Sequence, residues 1–170
     1  MSDKRSHKLD YNCLMLKFDI PNWSDFIKNL VREEDVYNTE TNSYGLEYEP
    51  HVTLLFGIHD YVNSDQFKKL LVPIRHIKCK AHKISIFENK DFDVVKFDIE
   101  GNYLHKINQD LRNNIDYTTS YPEYHPHMTI GYVNPGAGRK YKKNLKNPLL
   151  ITPTEYIYGK TDGTKETFFI

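Results

Sequence analysis

The stretch EPHVTL occupies residues 49–54, and a second stretch of the same kind, HPHMTI, occupies residues 125–130. Both contain proline, histidine, an apolar residue, threonine and another apolar residue in that order. A bare His-x-Thr tripeptide says little in a chain with 8 histidines, but the shared proline and apolar flanks make a chance match much rarer. The pair therefore predicts a duplicated half-site on two related strands.

Each stretch has the alternation of a β-strand that buries one face. Residues two positions apart point to the same side of a strand, about 6–7 Å apart along it. The histidine and the threonine of each stretch thus share one face, while the apolar residues enter the core. Two such strands facing each other across a cleft would present two imidazoles and two hydroxyls to one ligand: His51, Thr53, His127 and Thr129.

A phosphodiester suits this set of groups. One imidazole can take a proton from the attacking oxygen while the other donates a proton to the leaving oxygen, because the ordinary histidine pKa lies near 6.5. Threonine hydroxyls can donate hydrogen bonds to the nonbridging phosphate oxygens. Either motif alone would more often be structural, but the matched pair favours catalysis. His125 and His127 could instead bind a metal, although no acidic or cysteine cluster accompanies them in the sequence.

The hydrophobic pattern of the whole chain predicts an α+β fold with mostly antiparallel strands. About seven strands and three helices are expected. The predicted helices span residues 24–34, 64–71 and about 102–112; the predicted strands include residues 13–18, 51–56, 77–87, 93–99, 127–133 and 155–160; hairpin turns are predicted at residues 88–91 and 161–163.

Length and charge limit the classes of protein to consider. With 170 residues the chain is long enough for one domain, which we expect at residues 11–170 after a flexible polar arm at residues 1–10. Lys plus Arg and Asp plus Glu both total 23, which argues against a general nucleic-acid coat protein. The longest apolar run is too short to span a bilayer. The two cysteines lack Cys-x-x-Cys spacing, so a reducing cytoplasm is the expected location.

The two motifs resemble those of the two-histidine (2H) phosphoesterase superfamily, also called LigT-like or 2′-5′ RNA ligase-like. The resemblance spans residues 11–169. It implies a bilobal fold in which two related lobes of mostly antiparallel strands, with helices packed outside, enclose a central cleft. It also implies a phosphodiesterase that needs no metal or cofactor, with His51, Thr53, His127 and Thr129 as catalytic residues.

Residues 13–16, 45–57 and 124–130 are more specifically similar to the phage anti-CBASS phosphodiesterases, which destroy cyclic di- and trinucleotide alarm signals. This similarity implies a small cyclic oligonucleotide as substrate, with no long nucleic acid and no membrane as partner, and action in the host cytoplasm. It also implies that an acidic residue on a late strand reads a base edge. The expected substrate-binding residues are Glu155 for that role, Tyr11, Tyr124 and Tyr132 for base stacking, and Lys17, Arg139 and Lys160 for phosphate charge.

Three alternatives remain open on the sequence. The same histidines could act on linear 2′-5′ oligoadenylate, on an RNA 2′,3′-cyclic phosphate or on an RNA 3′ end. The chain could be a binding module that sequesters a nucleotide without cutting it. It could also be a metal-dependent hydrolase that uses His125 and His127. The sequence does not assign which of the two motif histidines is the base.

Overall fold

The computed structural model describes residues 10–38 and 44–170. Most of the predicted N-terminal arm, and residues 39–43 of a polar loop, therefore lie outside the described residues. The elements follow in the order β1 (Asn12–Asp19), α1 (Trp23–Leu30), β2 (His51–Ile58), β3 (Cys79–Glu88), β4 (Asp93–Gly101), α2 (Leu104–Asn114), β5 (His127–Val133), β6 (Lys143–Gly159) and β7 (Lys165–Phe168). The predicted antiparallel α+β class is confirmed.

The strands form one antiparallel sheet in the order β2-β1-β6-β3-β4-β5, and β7 pairs with β6 beside this path. The long strand β6 belongs to both halves of the sheet, because its residues 152–159 pair with β1 while its earlier residues pair with β3. The sheet thus contains two groups of three strands, β2-β1-β6 and β5-β4-β3. Although β2 and β5 stand at opposite ends of the strand order, they lie next to each other in space.

Alternation of side chains along the strands separates the core from the face that carries the motifs. In β1, Leu14 and Leu16 are fully buried, whereas Met15 and Lys17 between and beside them are only partly buried. In β2, Val52 and Leu54 are buried while His51 and Thr53 are partly exposed. The predicted period of two is therefore present in residues 51–54 of β2, with the apolar positions in the core. In β5 only His127 is partly exposed, because residues 128–133 are all buried.

The prediction of a second helix at residues 64–71 is wrong. Residues 64–71 form two isolated 3₁₀ turns, Ser64–Gln66 and Lys68–Leu70, instead of an α-helix. Asn63 caps the first turn, and the Ser64 hydroxyl donates to Glu166 at 2.7 Å rather than capping. Pro73 stops helical continuation just downstream, because proline disfavours the helical conformation of the residue before it. None of the helices in residues 10–38 and 44–170 is long and apolar enough to cross a membrane.

Candidate active site

The two motif histidines occupy equivalent positions at the first residue of their strands. Nδ1 of His51 lies 2.9 Å from the carbonyl oxygen of Glu49, and Nδ1 of His127 lies 2.9 Å from the carbonyl oxygen of His125. A carbonyl can only accept, so Nδ1 of each ring carries the hydrogen and donates it. Nε2 of each neutral ring is then left with its lone pair for proton exchange.

The repeated proline has a matching role in both motifs. The carbonyl oxygen of Pro50 accepts from the backbone N–H of Phe18 at 3.0 Å, and that of Pro126 accepts from the N–H of Ile99 at 3.1 Å. Each proline thus joins the start of its motif strand to the neighbouring strand, β1 or β4. In both motifs the histidine ring also contacts the carbonyl two residues earlier, so the two local chain paths match.

Cross-strand register gives each histidine a row of charged neighbours. Lys17 in β1 lies opposite His51, and Glu155 in β6 lies opposite Lys17. The Lys17 ammonium and the Glu155 carboxylate form an ion pair at 3.5 Å. Of the residues expected to bind substrate, Lys17 therefore lies beside His51, and Glu155 lies one strand further along the same row.

The other half of the sheet has a corresponding row. Asp98 in β4 lies opposite His127, and Lys83 in β3 lies opposite Asp98. Thr129, which is only 2% exposed, lies opposite Lys96. Sequence reasoning missed Lys96 and Asp98, although charged residues at alternate positions of an otherwise apolar strand could have indicated that they share a face with the motif.

A cavity of about 250 Å³ adjoins the two motifs. Thr53 of β2 and His127 of β5 line it, and the loop of residues 117–125 forms one wall. Much of the remaining lining is aromatic, from Phe56, Phe87, Tyr121 and Tyr124. Such a cavity can hold a flat apolar group next to His127.

Tyr124 and Arg112 hold this wall against the strands. The Tyr124 hydroxyl donates to the carbonyl oxygen of Thr53 at 2.8 Å, and burial raises the pKa of Tyr124, so the hydroxyl stays a neutral donor. The Arg112 guanidinium donates to the carbonyl oxygens of Tyr121 and Pro122, both at 3.3 Å. The loop is thus fixed from α2 and from β2 together.

The two histidines differ in their electrostatic surroundings. Burial lowers the pKa of His127 from 6.5 to about 3, and the positive charges of Lys96 and His51 act in the same direction. The hydrogen bond to the His125 carbonyl opposes this effect. His127 is therefore uncharged at neutral pH, in the form that can accept a proton at Nε2.

Two other expected substrate-binding tyrosines differ in placement. The Tyr11 ring stacks on His59 with centroids 5.8 Å apart and contacts the edge of Phe56, which lines the cavity. Tyr132 is only 1% exposed and packs against Phe92, so its ring has no free face for a base. The stacking role expected for Tyr132 therefore needs correction: this residue belongs to the core.

The two remaining basic residues are engaged elsewhere. Arg139 is bound to Glu88 at 2.7 Å with its side chain exposed to solvent. Lys160 follows β6 and pairs with Glu166 of β7 at 3.7 Å. Neither residue lines the cavity, although Glu88, the partner of Arg139, does.

His125 lies before β5 rather than on it. Its exposed ring is 3.3 Å from Glu123. Within residues 10–38 and 44–170, no three His, Cys, Asp or Glu side chains lie together as a group that could hold a metal ion. The pairing of His125 with His127 on one strand face, on which the metal alternative depended, is therefore not found.

Comparison with known proteins gives a structural relative but no sequence relative. No family model matches this chain, and no curated protein matches it. Among solved structures, Kluyveromyces marxianus Usb1 with uridine monophosphate is similar, with a TM-score of 0.53 and 10% sequence identity over 95% of this chain and 98% of the Usb1 chain. The similarity extends over nearly the whole of both chains, and at this identity it shows that they share a fold.

Proposed function

We propose that this protein is a metal-independent phosphodiesterase of the two-histidine type, which opens cyclic di- and trinucleotide signals to linear products and so blocks CBASS antiphage signalling. The observation that carries the proposal is the identical setting of the two imidazoles. Each Nδ1 donates to the carbonyl two residues earlier, each proline carbonyl pairs with the neighbouring strand, and each threonine shares its histidine's face. Two matched Nε2 atoms on adjacent strands suit concerted proton transfer.

We interpret the strand groups β2-β1-β6 and β5-β4-β3 as the two related lobes of the 2H architecture. Their matched motif geometry supports this interpretation, and so does the fold shared with Usb1 over nearly the whole chain. The cleft between the lobes would then run between β2 and β5, where the two histidines begin their strands.

The chemistry follows from the protonation of the two rings. The neutral imidazole takes the proton of the ribose 2′-hydroxyl at its Nε2, and the 2′-oxygen attacks phosphorus. The bond from phosphorus to the 5′-oxygen breaks, and the protonated imidazole gives its Nε2 proton to that oxygen. The Thr53 hydroxyl, which lies at the cavity, donates to a nonbridging oxygen, where negative charge grows. Thr129, expected in the same role, is 2% exposed and does not line the cavity. A linear product with a 2′,3′-cyclic phosphate results, which water can open to a terminal phosphate.

The cyclic-nucleotide assignment draws on two observations. The cavity beside Thr53 and His127 is small, contains four Phe or Tyr rings in its lining and is walled by the loop of residues 117–125, as expected for a compact ligand with bases to stack. The balanced charge of the chain argues against long nucleic acid. Glu155, which pairs with Lys17 in the cross-strand row of His51, is the candidate for reading a base edge, and Tyr11 and Tyr124 are the candidates for stacking. Action in the host cytoplasm follows from this role.

A second candidate is a phosphodiesterase for RNA ends or linear 2′-5′ oligonucleotides. The structural likeness to Usb1 with uridine monophosphate favours it, because that ligand is a single nucleotide rather than a cyclic dinucleotide. This candidate would use the same four motif residues. A binding module that does not cut is disfavoured by the completeness of both motifs.

The test is incubation of the purified protein in excess EDTA with cyclic di- and trinucleotides and with linear 2′-5′ and 3′-5′ oligonucleotides, with products identified by mass spectrometry. We expect cyclic substrates to be opened, and opening to stop when the attacking ribose hydroxyl is replaced by hydrogen. Cleavage of linear substrates alone would favour the second candidate. Unchanged ligand throughout would favour the binding module, and activity lost with EDTA would favour the metal hydrolase.

A further inference from the structure

A buried ammonium group lies behind the second motif. Lys96 of β4 is 6% exposed, and its Nζ donates to Ser85 Oγ at 2.6 Å and to Asp98 Oδ1 at 2.7 Å. The same Nζ lies 4.3 Å from the centre of the Phe87 ring. Lysine is seldom buried unless its charge is paired, because removing the charge from water is costly. Its presence beside the motif therefore calls for an explanation.

The charges of this cluster do not cancel. Lys83 approaches the other oxygen of Asp98, Oδ2, at 3.5 Å. The Ser85 hydroxyl also donates to Asp98 Oδ1, at 2.6 Å. Two ammonium groups thus share one carboxylate, so the cluster of Lys83, Asp98 and Lys96 carries one net positive charge. The oxygens of Asp98 are already engaged by three donors.

The cluster with this net charge lies next to His127. Asp98 lies directly opposite His127 in the sheet. The Phe87 ring, which the Lys96 ammonium contacts, also makes an edge contact with the His127 ring, with centroids 5.1 Å apart. Among residues 10–38 and 44–170, the other charged groups on this side include His51 of β2 and two pairs, Glu123 with His125 and Glu88 with Arg139. Each of these pairs balances its own charge when His125 is protonated.

The other half of the sheet lacks this excess. The row beside His51 contains Lys17 and Glu155, one charge of each sign. The position opposite Thr53 that corresponds to Lys96 is occupied by Met15. The two half-sites therefore have matching backbones but different charge, and this difference can assign different roles to their histidines.

We propose that the cluster of Lys83, Asp98 and Lys96 adds to the effect of burial in disfavouring the protonated form of His127, and thereby favours His127 as the general base and His51 as the general acid. The role assignment rests on the proposed phosphodiesterase function. Lys96 does not line the cavity, so it is a positioning residue that acts on the ring through its charge. The lowered pKa of His127, to which burial contributes most and the charge of Lys96 adds, agrees with this arrangement.

The charge effect is tested by NMR titration of the His127 ring in the intact chain, without any substrate. We expect Lys96→Gln to raise the pKa of His127 by about 1 unit, and Lys83→Gln, at a more exposed position, to raise it by less. Asp98→Asn disturbs the same hydrogen bonds but removes negative charge, so it must not raise the pKa. Lys80→Gln is the matched control, because Lys80 lies on the same strand as Lys83, is 45% exposed against 44%, and pairs with Glu100 instead.

The outcomes separate charge from structure. An ordinary titration of His127 in the unmodified protein, or an equal rise in Asp98→Asn and Lys83→Gln, would overturn the charge effect. If Lys96→Gln fails to fold, Lys83→Gln still tests the charge effect. Lys96→Arg keeps the positive charge, so the pKa of His127 should stay at its value in the unmodified protein.

The role assignment is tested by the pH dependence of kcat/KM on cyclic di-AMP or whichever panel nucleotide is cleaved fastest. The acidic limb of the profile reports protonation of the base, so it should move to higher pH in Lys96→Gln by the shift seen in the NMR titration. A limb that stays in place while the His127 titration moves would show that His127 is not the base. Absence of turnover on every nucleotide would reject the proposed function, and the role assignment with it, while the NMR result would still decide the charge effect.

Discussion

Asn108 of α2 connects the motif strand β2 to the wall of the cavity. Its side chain is 4% exposed, its Nδ2 donates to the carbonyl oxygen of Leu54 at 2.7 Å, and its Oδ1 accepts from Nε of Arg112 at 2.9 Å. Because β2 is an edge strand of the sheet path, the amide supplies a partner to a carbonyl adjacent to Thr53. Asn108→Ala removes both contacts.

The cost can be worked out from these two contacts. A buried carbonyl left without a partner costs about 1–3 kcal/mol, and a hydrogen bond to a charged group contributes about 1.5–3 kcal/mol. Arg112 is partly exposed and regains water, so the second contribution is reduced. We expect Asn108→Ala to lower the free energy of unfolding by about 2–4 kcal/mol.

Urea denaturation followed by circular dichroism measures this loss as a lower midpoint with an unchanged slope. The matched control is Gln109→Ala, because Gln109 is the exposed neighbour whose amide donates to Asn113 within the same helix, at 3.0 Å. The control should change stability by less than about 0.5 kcal/mol. If Asn108→Ala and Gln109→Ala were equally mild, the view that Asn108 fixes β2 to the cavity wall would be refuted.

Three further changes give distinct readouts. Gly57→Ala should lower the free energy of unfolding by at least about 1–3 kcal/mol, since Gly57 has a φ of +98° and an added Cβ would lie 1.9 Å from the Thr118 carbonyl oxygen. Urea denaturation measures this change, and an unchanged midpoint would contradict the prediction. Tyr124→Phe removes the donor to the Thr53 carbonyl and should cost about 1 kcal/mol while raising KM more than it lowers kcat, which steady-state kinetics would show. As pH falls below 6.5, the unfolded chain protonates His127, whereas the folded chain does so only near a pKa of about 3. The free energy of unfolding should therefore fall across this window. Calorimetry at several pH values should show a shallower decline for His127→Gln, and an identical decline in both proteins would count against the lowered pKa.

The strand pattern of the site could be predicted from sequence because its cause is local. Side chains alternate between the two faces of a strand, so burying Val52 and Met128 in the core places the histidine and threonine on either side of each together on the opposite face. The repeated proline indicated equivalence of the two motifs, and the structure agrees, because the Pro50 and Pro126 carbonyls each accept from a neighbouring strand. The hairpin at residues 161–163 was also predictable, because Gly163 adopts a φ of +88° and Asp162 accepts from Thr164.

Other features depend on contacts distant in sequence. The segment 64–71 has helical spacing of its apolar residues, but Phe67 is drawn into the core and Ser64 is bound to Glu166 of β7, which no local pattern reveals. Tyr132 was wrongly expected to stack on a base, although the period of two places it on the same face as the buried Met128 and Ile130, and its packing against Phe92 confirms that it is core. The net charge beside His127 required the register of β3, β4 and β5.

The central claim is that His51 and His127 act together on one phosphodiester, and a mutant cycle of rates tests it most directly. Cleavage of the best cyclic dinucleotide in excess EDTA would be compared for the unmodified enzyme, His51→Ala, His127→Ala and the double variant. We predict that each single change lowers kcat by about 10²–10⁴-fold and that the double change lowers it little further, because the two rings serve one step. A single variant with nearly full activity, or losses that simply multiply in the double variant, would contradict the account.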